Sequence, residues 1–146
     1  MKEAGFQDIR LSLESADEDF QGKSGGKAYN QEFEKAIRIL HSAGFRQNQI
    51  RVYTLMNVPG QDSSKVSQTM DYIFETGGMP MLAYYSPIPG TPDGNSTAHK
   101  LNLEEPLYQN NTVYYYLGGF DINTLDELKL KEKSYRKQAS FIQSES

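Results

Sequence analysis

Cysteine is absent from this chain of 146 residues. Disulfides, thiolate nucleophiles, zinc–thiolate centres and cysteine-held iron–sulfur clusters therefore lie outside what the chain can build from its own residues. Histidine is scarce too: His41 and His99 are the 2 in the sequence, too few for a multi-histidine metal site. There is no excess of positive charge. Lys and Arg number 15 against 19 Asp and Glu, a net charge of −4, which argues against direct nucleic-acid binding through a basic face. No apolar run approaches the ~20 residues of a membrane-spanning helix, and the N-terminus lacks a secretory signal pattern. No membrane contact is expected, and the default compartment is the cytoplasm. Hydrophobic residues make up only 37% of the chain, so a globular fold has a modest core to work with. The length suits one domain that buries roughly two-thirds of the surface of its unfolded chain.

What is present is a repeated local plan. Glu3-Ala4-Gly5-Phe6 leads into QDIRLSLES, Ser42-Ala43-Gly44-Phe45 into RQNQIRVYTLMNVPG, and Glu75-Thr76-Gly77-Gly78 into MPMLAYYSPIPG. Each reads as a helix end, a glycine cap and then a strand. Gly5, Gly44 and Gly77 recur at a spacing of roughly 35–40 residues, the length of a strand with its crossover helix. Between them, residues 30–42 place Phe33, Ile37 and Leu40 on one helical face, with Ala36 beside them and Asn30 as N-cap. A second helix is predicted over Val66, Met70, Ile73 and Phe74, capped by Asp62 or Ser63. Strands alternating with helices in this way predict an α/β fold with a parallel sheet, open or closed into a barrel. The opening MKEAGF reads as the last turn and cap of a helix whose body lies upstream. On that reading the chain is a C-terminal piece of a longer protein and needs the missing N-terminal half. The sheet edge near IRLSLES is then open to pairing with a second copy.

Ligands of parallel α/β folds sit at the carboxyl ends of the strands. Here those ends are Ser12-Leu13-Glu14-Ser15, Asn57-Val58-Pro59-Gly60-Gln61 and Ser86-Pro87-Ile88-Pro89-Gly90-Thr91. Alternation puts Glu14 on the opposite face from Ile9, Leu11 and Leu13. There its carboxylate could accept hydrogen bonds from a sugar diol, or simply open an acidic loop with Asp17, Glu18 and Asp19. Gly60 permits close backbone approach after Pro59, or serves an ordinary strand-to-helix loop. Pro87, Pro89 and Pro92 fix a rigid backbone edge suited to adenine, or only redirect the chain.

The segments GFQDIRLSLES, VYTLMNVPGQD and YYSPIPGTP, in this order, resemble the C-terminal half of a radical S-adenosylmethionine enzyme over residues 1–92. The resemblance implies the fourth, fifth and sixth strands of a partial (β/α) barrel, similar to a TIM barrel. Residues 93–146 then form a C-terminal helical extension. It implies that Glu14, with Ser12 and Ser15 nearby, meets the ribose of S-adenosylmethionine. Asn57, Pro59 and Gly60 would pack round the adenosine, and Ser86, Pro87 and Ile88 would border the adenine. The parent enzyme would use S-adenosylmethionine and a four-iron, four-sulfur cluster on a substrate the sequence does not identify. Asn57 stands where the family more often has glycine. The family's three-cysteine loop and first three strands are absent, so the fragment alone is expected to bind no cluster and to catalyse nothing. Two further readings remain open: a piece of another (β/α)-barrel enzyme that binds a nucleotide or phosphate, and a non-catalytic α/β interaction domain.

Beyond residue 92, Asp93 to Lys100 reads as a polar surface loop. Tyr114, Tyr115 and Tyr116 either cover the open side of the barrel or line a substrate site. Asn123 or Thr124 is expected to cap a last helix with Leu125, Leu128, Leu130, Tyr135 and Ile142 as its apolar stripe. His41 reads as a surface residue and His99 as part of the polar loop.

Overall fold

A computed structural model describes residues 1–16, 30–97, 101–117 and 119–144, with side chains described as far as residue 140. His99, Asp17, Glu18, Asp19 and the side chain of Ile142 lie outside the described residues. The fold is α/β. Strands β1 (Ile9–Ser12), β2 (Ile50–Met56) and β3 (Met79–Tyr84) form one parallel sheet in the order β1-β2-β3. Helices α1 (Asn30–Ser42) and α2 (Ser63–Thr76) are the crossovers. Three more helices follow β3: α3 (Pro92–Thr97), α4 (Asn111–Leu117) and α5 (Ile122–Ser144).

The register pairs Ile9 with Ile50 and Arg51 with Met79. Strand β2 alternates strictly between buried and half-buried residues. Its buried set, Ile50, Val52, Thr54 and Met56, faces α1 and α2, where Phe33, Ile37, Leu40 and Ile73 complete the packing. Those helical residues recur at three- and four-residue steps, so one stripe per helix meets the sheet. The three glycines that end the repeated units all take positive φ, between 85° and 101°.

Gly77 has a second constraint. The imidazole of His41 lies between two carbonyls, with Nδ1 3.0 Å from Phe45 O and Nε2 3.0 Å from Gly77 O. Both partners are acceptors, so two hydrogen bonds form only when both ring nitrogens carry protons; a neutral ring donates to one. Although exposed, His41 thus ties the end of α1 to the end of α2. A Cβ on Gly77 would sit 2.6 Å from His41 Nε2.

Helix α5 lies beside α2 and presents Leu125, Leu128, Tyr135 and Ala139 to the core. Leu130, expected in that stripe, is 63% exposed, because it points away from the buried row. Lys131 Nζ donates to Asp71 Oδ2 at 2.6 Å and to Ser67 Oγ at 2.6 Å, and the Tyr135 hydroxyl donates to Asp71 Oδ1. The cap of α5 is Asp121, two residues ahead of the expected Asn123 and three ahead of Thr124. Its Oδ1 accepts the N–H groups of both residues, at 3.0 and 3.1 Å; the Thr124 hydroxyl, donating to Oδ2 at 2.6 Å, and then these backbone bonds lower its pKa. Glu132 Oε1 accepts the N–H of Leu82 at 3.3 Å, so α5 takes up a backbone donor on the outer edge of β3.

The polar stretch after Pro92 differs from its reading as a loop. Pro92–Thr97 is helical, because Thr91 accepts the N–H of Gly94 at Oγ1 (3.0 Å) and that of Asn95 at its carbonyl (2.8 Å). Pro92 occupies the first helical position, where its missing N–H costs nothing.

Gly77→Ala is expected to lower the urea midpoint with an unchanged slope. The left-handed backbone and the clash with His41 together cost about 1–3 kcal/mol.

Candidate functional site

Parallel pairing brings all three carboxyl ends to one rim of the sheet. After β1 the chain is held by Thr54, whose hydroxyl donates to Glu14 O at 3.2 Å, and by Thr69 Oγ1, which accepts the N–H of Ala16 at 3.0 Å. Ser15 is thereby buried, and Glu14 stays half-exposed beside it. After β2 the loop is braced by Gln61: its Nε2 donates to Leu55 O at 2.9 Å, and its Oε1 accepts from Val58 N–H at 3.2 Å. The two ends enclose a cleft of about 370 Å³ lined by Glu14, Ser15, Pro59, Gly60, Asp62 and Lys65, among others. Asp93, from the first turn of α3, closes its far side.

Of the residues singled out from the sequence, Glu14, Ser15, Pro59 and Gly60 meet in this cleft. Ser12 is exposed on β1 and lies outside the lining. Ser86, Pro87 and Ile88 also lie outside it: Pro87 is buried, and Ile88 is 59% exposed. The carbonyl of Ile88 accepts from Thr91 Oγ1 at 2.7 Å, so the proline-rich turn here serves to set up the cap of α3.

Asn57 takes a different place. It is 1% exposed and is the single non-glycine residue with positive φ among the described residues, at 69°. Asparagine tolerates this conformation better than most side chains. Its Oδ1 accepts the N–H of Phe120 at 2.6 Å, which fastens the C-terminal segment to the end of β2. The neighbouring Gly119 has φ 77°, and a Cβ there would lie 1.9 Å from Asn57 Oδ1. Sequence spacing cannot find this contact, because its two halves are separated by 63 positions.

That fastening creates a second cleft, of about 590 Å³, on the other side of the β2 loop. Val58, Pro59, Gly60 and Gln61 form one wall; Asp93, Ser96 and Thr97 form another; Tyr114, Gly119 and Phe120 form the third. Tyr114 is 2% exposed and packs edge-on against Tyr85, with ring centroids 5.2 Å apart. Tyr115 joins the core around α5, whereas Tyr116 is exposed. The hydroxyl of Tyr85 is buried and has no hydrogen-bond partner among the described residues. Burial, then the charge of Asp93, then Tyr114 push its pKa up to about 12.

Charge in the first cleft is mostly negative, with Glu14, Asp62 and Asp93 against Lys65. Asp62 is the N-cap of α2 and accepts the N–H of Ser64 at 2.8 Å. That bond, and then the Ser64 side chain, lower its pKa. Among the described residues no group of three or more His, Cys, Asp or Glu side chains is placed to hold a metal ion, and no helix is long and apolar enough to cross a membrane. No protein-family model matches the chain, and no curated protein is significantly similar to it in sequence.

Gly119→Ala is expected to cost about 2–4 kcal/mol, from overpacking against Asn57 added to the left-handed backbone, read as a fall in the denaturant midpoint. Tyr85→Phe removes an orphaned hydroxyl and is expected to stabilise by about 1 kcal/mol. The wild-type phenol keeps its proton in the folded state above the ordinary value of 10, so the unfolded chain loses its proton first. Stability therefore falls as pH rises from 10 to about 12. The Phe variant should show a shallower fall in alkaline denaturation.

Proposed function

We propose that this chain supplies the adenosine side of an S-adenosylmethionine site in a radical S-adenosylmethionine enzyme, and that its sheet is part of a (β/α) barrel. The observation that carries the reading is the convergence of Glu14, Ser15, Pro59 and Gly60 on one cleft at the carboxyl ends of β1 and β2. Sequential strand order supports it as well: β1, β2 and β3 lie side by side without the reversal of a doubly wound sheet. Glu14 offers two carboxylate oxygens to a ribose diol, and its position on the strand end is fixed through its own carbonyl by Thr54. Gly60, with φ 73° and no neighbour within 4 Å of a Cβ position, leaves the backbone open to an approaching ring.

The residues fit the two groups unequally. Glu14, Ser15 and Gly60 suit the nucleoside part of S-adenosylmethionine, which on reductive cleavage supplies a 5′-deoxyadenosyl radical. A chain with 0 cysteines does not fit the four-iron cluster. On this reading the cluster belongs to another part of the parent enzyme, and this chain binds and orients the nucleoside without catalysing anything alone. The outer edge of β1, with no strand paired to it among the described residues, is where those further strands would join. The reading leaves the parent's substrate open.

A phosphate site at the start of α2 is less well supported. Asp62 already accepts the Ser64 N–H, and three carboxylates flank the cleft against one lysine.

Adenosine titrated into the isotope-labelled chain is expected to shift the amides of Ser15, Gly60 and Gln61. Glu14→Gln should weaken that binding roughly tenfold, the scale of a hydrogen bond to a charged acceptor. Equal affinity for both proteins, or shifts confined to other residues, would remove the proposal.

A further inference from the structure

We infer that the second cleft is a separate binding site for a small neutral or cationic ligand with an aromatic or apolar body and a hydroxyl or ammonium group, and that it turns away phosphates and carboxylates. Its volume of about 590 Å³ falls in the range of small-molecule sites, roughly 300–1,000 Å³. Its walls come from three separate segments, and each is fixed. Gln61 braces the β2 loop, Thr91 caps α3, and the Asn57 bond to Phe120 holds the third wall in place. Gly94 packs so closely on the turn that a Cβ there would lie 1.9 Å from Ile88 O, so this approach requires glycine.

The two hydroxyls of α3 in this cleft are committed in one direction. Ser96 Oγ donates to Asp93 O at 2.7 Å, and Thr97 Oγ1 donates to Gly94 O at 2.7 Å. With their protons spent on the backbone, both hydroxyls offer lone pairs. Gln61 gives one amide hydrogen to Leu55 O, and Asp93 carries a carboxylate. The side chains of Asp93, Ser96 and Thr97 therefore ask for donors, while the Tyr114 hydroxyl can itself donate. Among the described residues of the lining, Asp93 is the single charged one, and none is Lys, Arg or His. An anion placed there would face the Asp93 carboxylate, with no cation among the described lining residues to offset it. Tyr114 and Phe120 supply the apolar and aromatic surface for the ligand body. The first cleft differs in adding Glu14, Asp62 and Lys65, while the two share Asp93 and the wall from Val58 to Gln61. This inference stands whether or not adenosine occupies the first cleft.

Three probes with one hydroxyphenyl body test it: tyramine, tyrosol and 4-hydroxyphenylacetate, which end in an ammonium, a hydroxyl and a carboxylate. Each is titrated into the labelled full chain while the amides of Ser96, Thr97 and Gly119 are followed. Tyramine is expected to bind most tightly, tyrosol about tenfold more weakly, and 4-hydroxyphenylacetate not measurably. Asp93→Asn, at an exposed position on α3, should bring tyramine down to the affinity of tyrosol. Unchanged spectral dispersion elsewhere verifies its fold. If 4-hydroxyphenylacetate shifts these amides as tyramine does, or if no probe shifts them up to its solubility, the assignment is wrong. If Asp93→Asn keeps the preference for tyramine, the charge selection is wrong.

Discussion

One hydrogen bond, from the backbone N–H of Phe120 to the side-chain oxygen of Asn57, ties the segment between α4 and α5 to the end of β2. The parallel strands and their crossovers need no such contact to pack. The C-terminal segment does, because α4 and the turn after it would otherwise lie against the rim through apolar contacts alone, which are not directional. Asn57 accepts a left-handed backbone to make the bond, and Gly119 gives up its side chain so that the two segments can approach. The second cleft exists because of this junction. The first, between β1 and β2, owes its form to Thr54, Thr69 and Gln61.

Much of the layered part was legible in the sequence. Helix caps, glycines at the unit ends and apolar stripes are local features, encoded within a few residues of where they act. They gave the two crossover helices, the parallel α/β class and Asp62 as a cap. Glu14, Ser15, Pro59 and Gly60 were legible as a group because a parallel register must bring strand ends to one side. The role of Asn57 was not, since its partner is remote in sequence. Helix α3 was hidden because Gly94, Asn95, Ser96 and Thr97 are poor helix formers, and the cap at Thr91 with Pro92 outweighs their propensity. The stripe of α5 was misjudged at Leu130 and passed over Ala139, a small residue buried where the helix comes close to the core.

The proline-rich turn shows how one composition serves more than one purpose. Pro87 is buried and Pro92 starts a helix, while Gly90, with φ 79°, permits the reversal between them. Stiffness in this turn positions Asp93, and Asp93 borders both clefts. A rigid turn is therefore useful to a binding rim even where its own side chains touch no ligand.

The two edges of the sheet differ, and that difference sets the arithmetic of self-assembly. On β3, Glu132 occupies a donor that a neighbouring strand would need. A protein with two free edges can add copies without end, each addition exposing a fresh template. With one edge stopped, two molecules that met through β1 would consume the sticky side of each and present nothing to a third. Such a pair is a closed object with a twofold axis, and Glu132 on β3 works against further growth along the sheet.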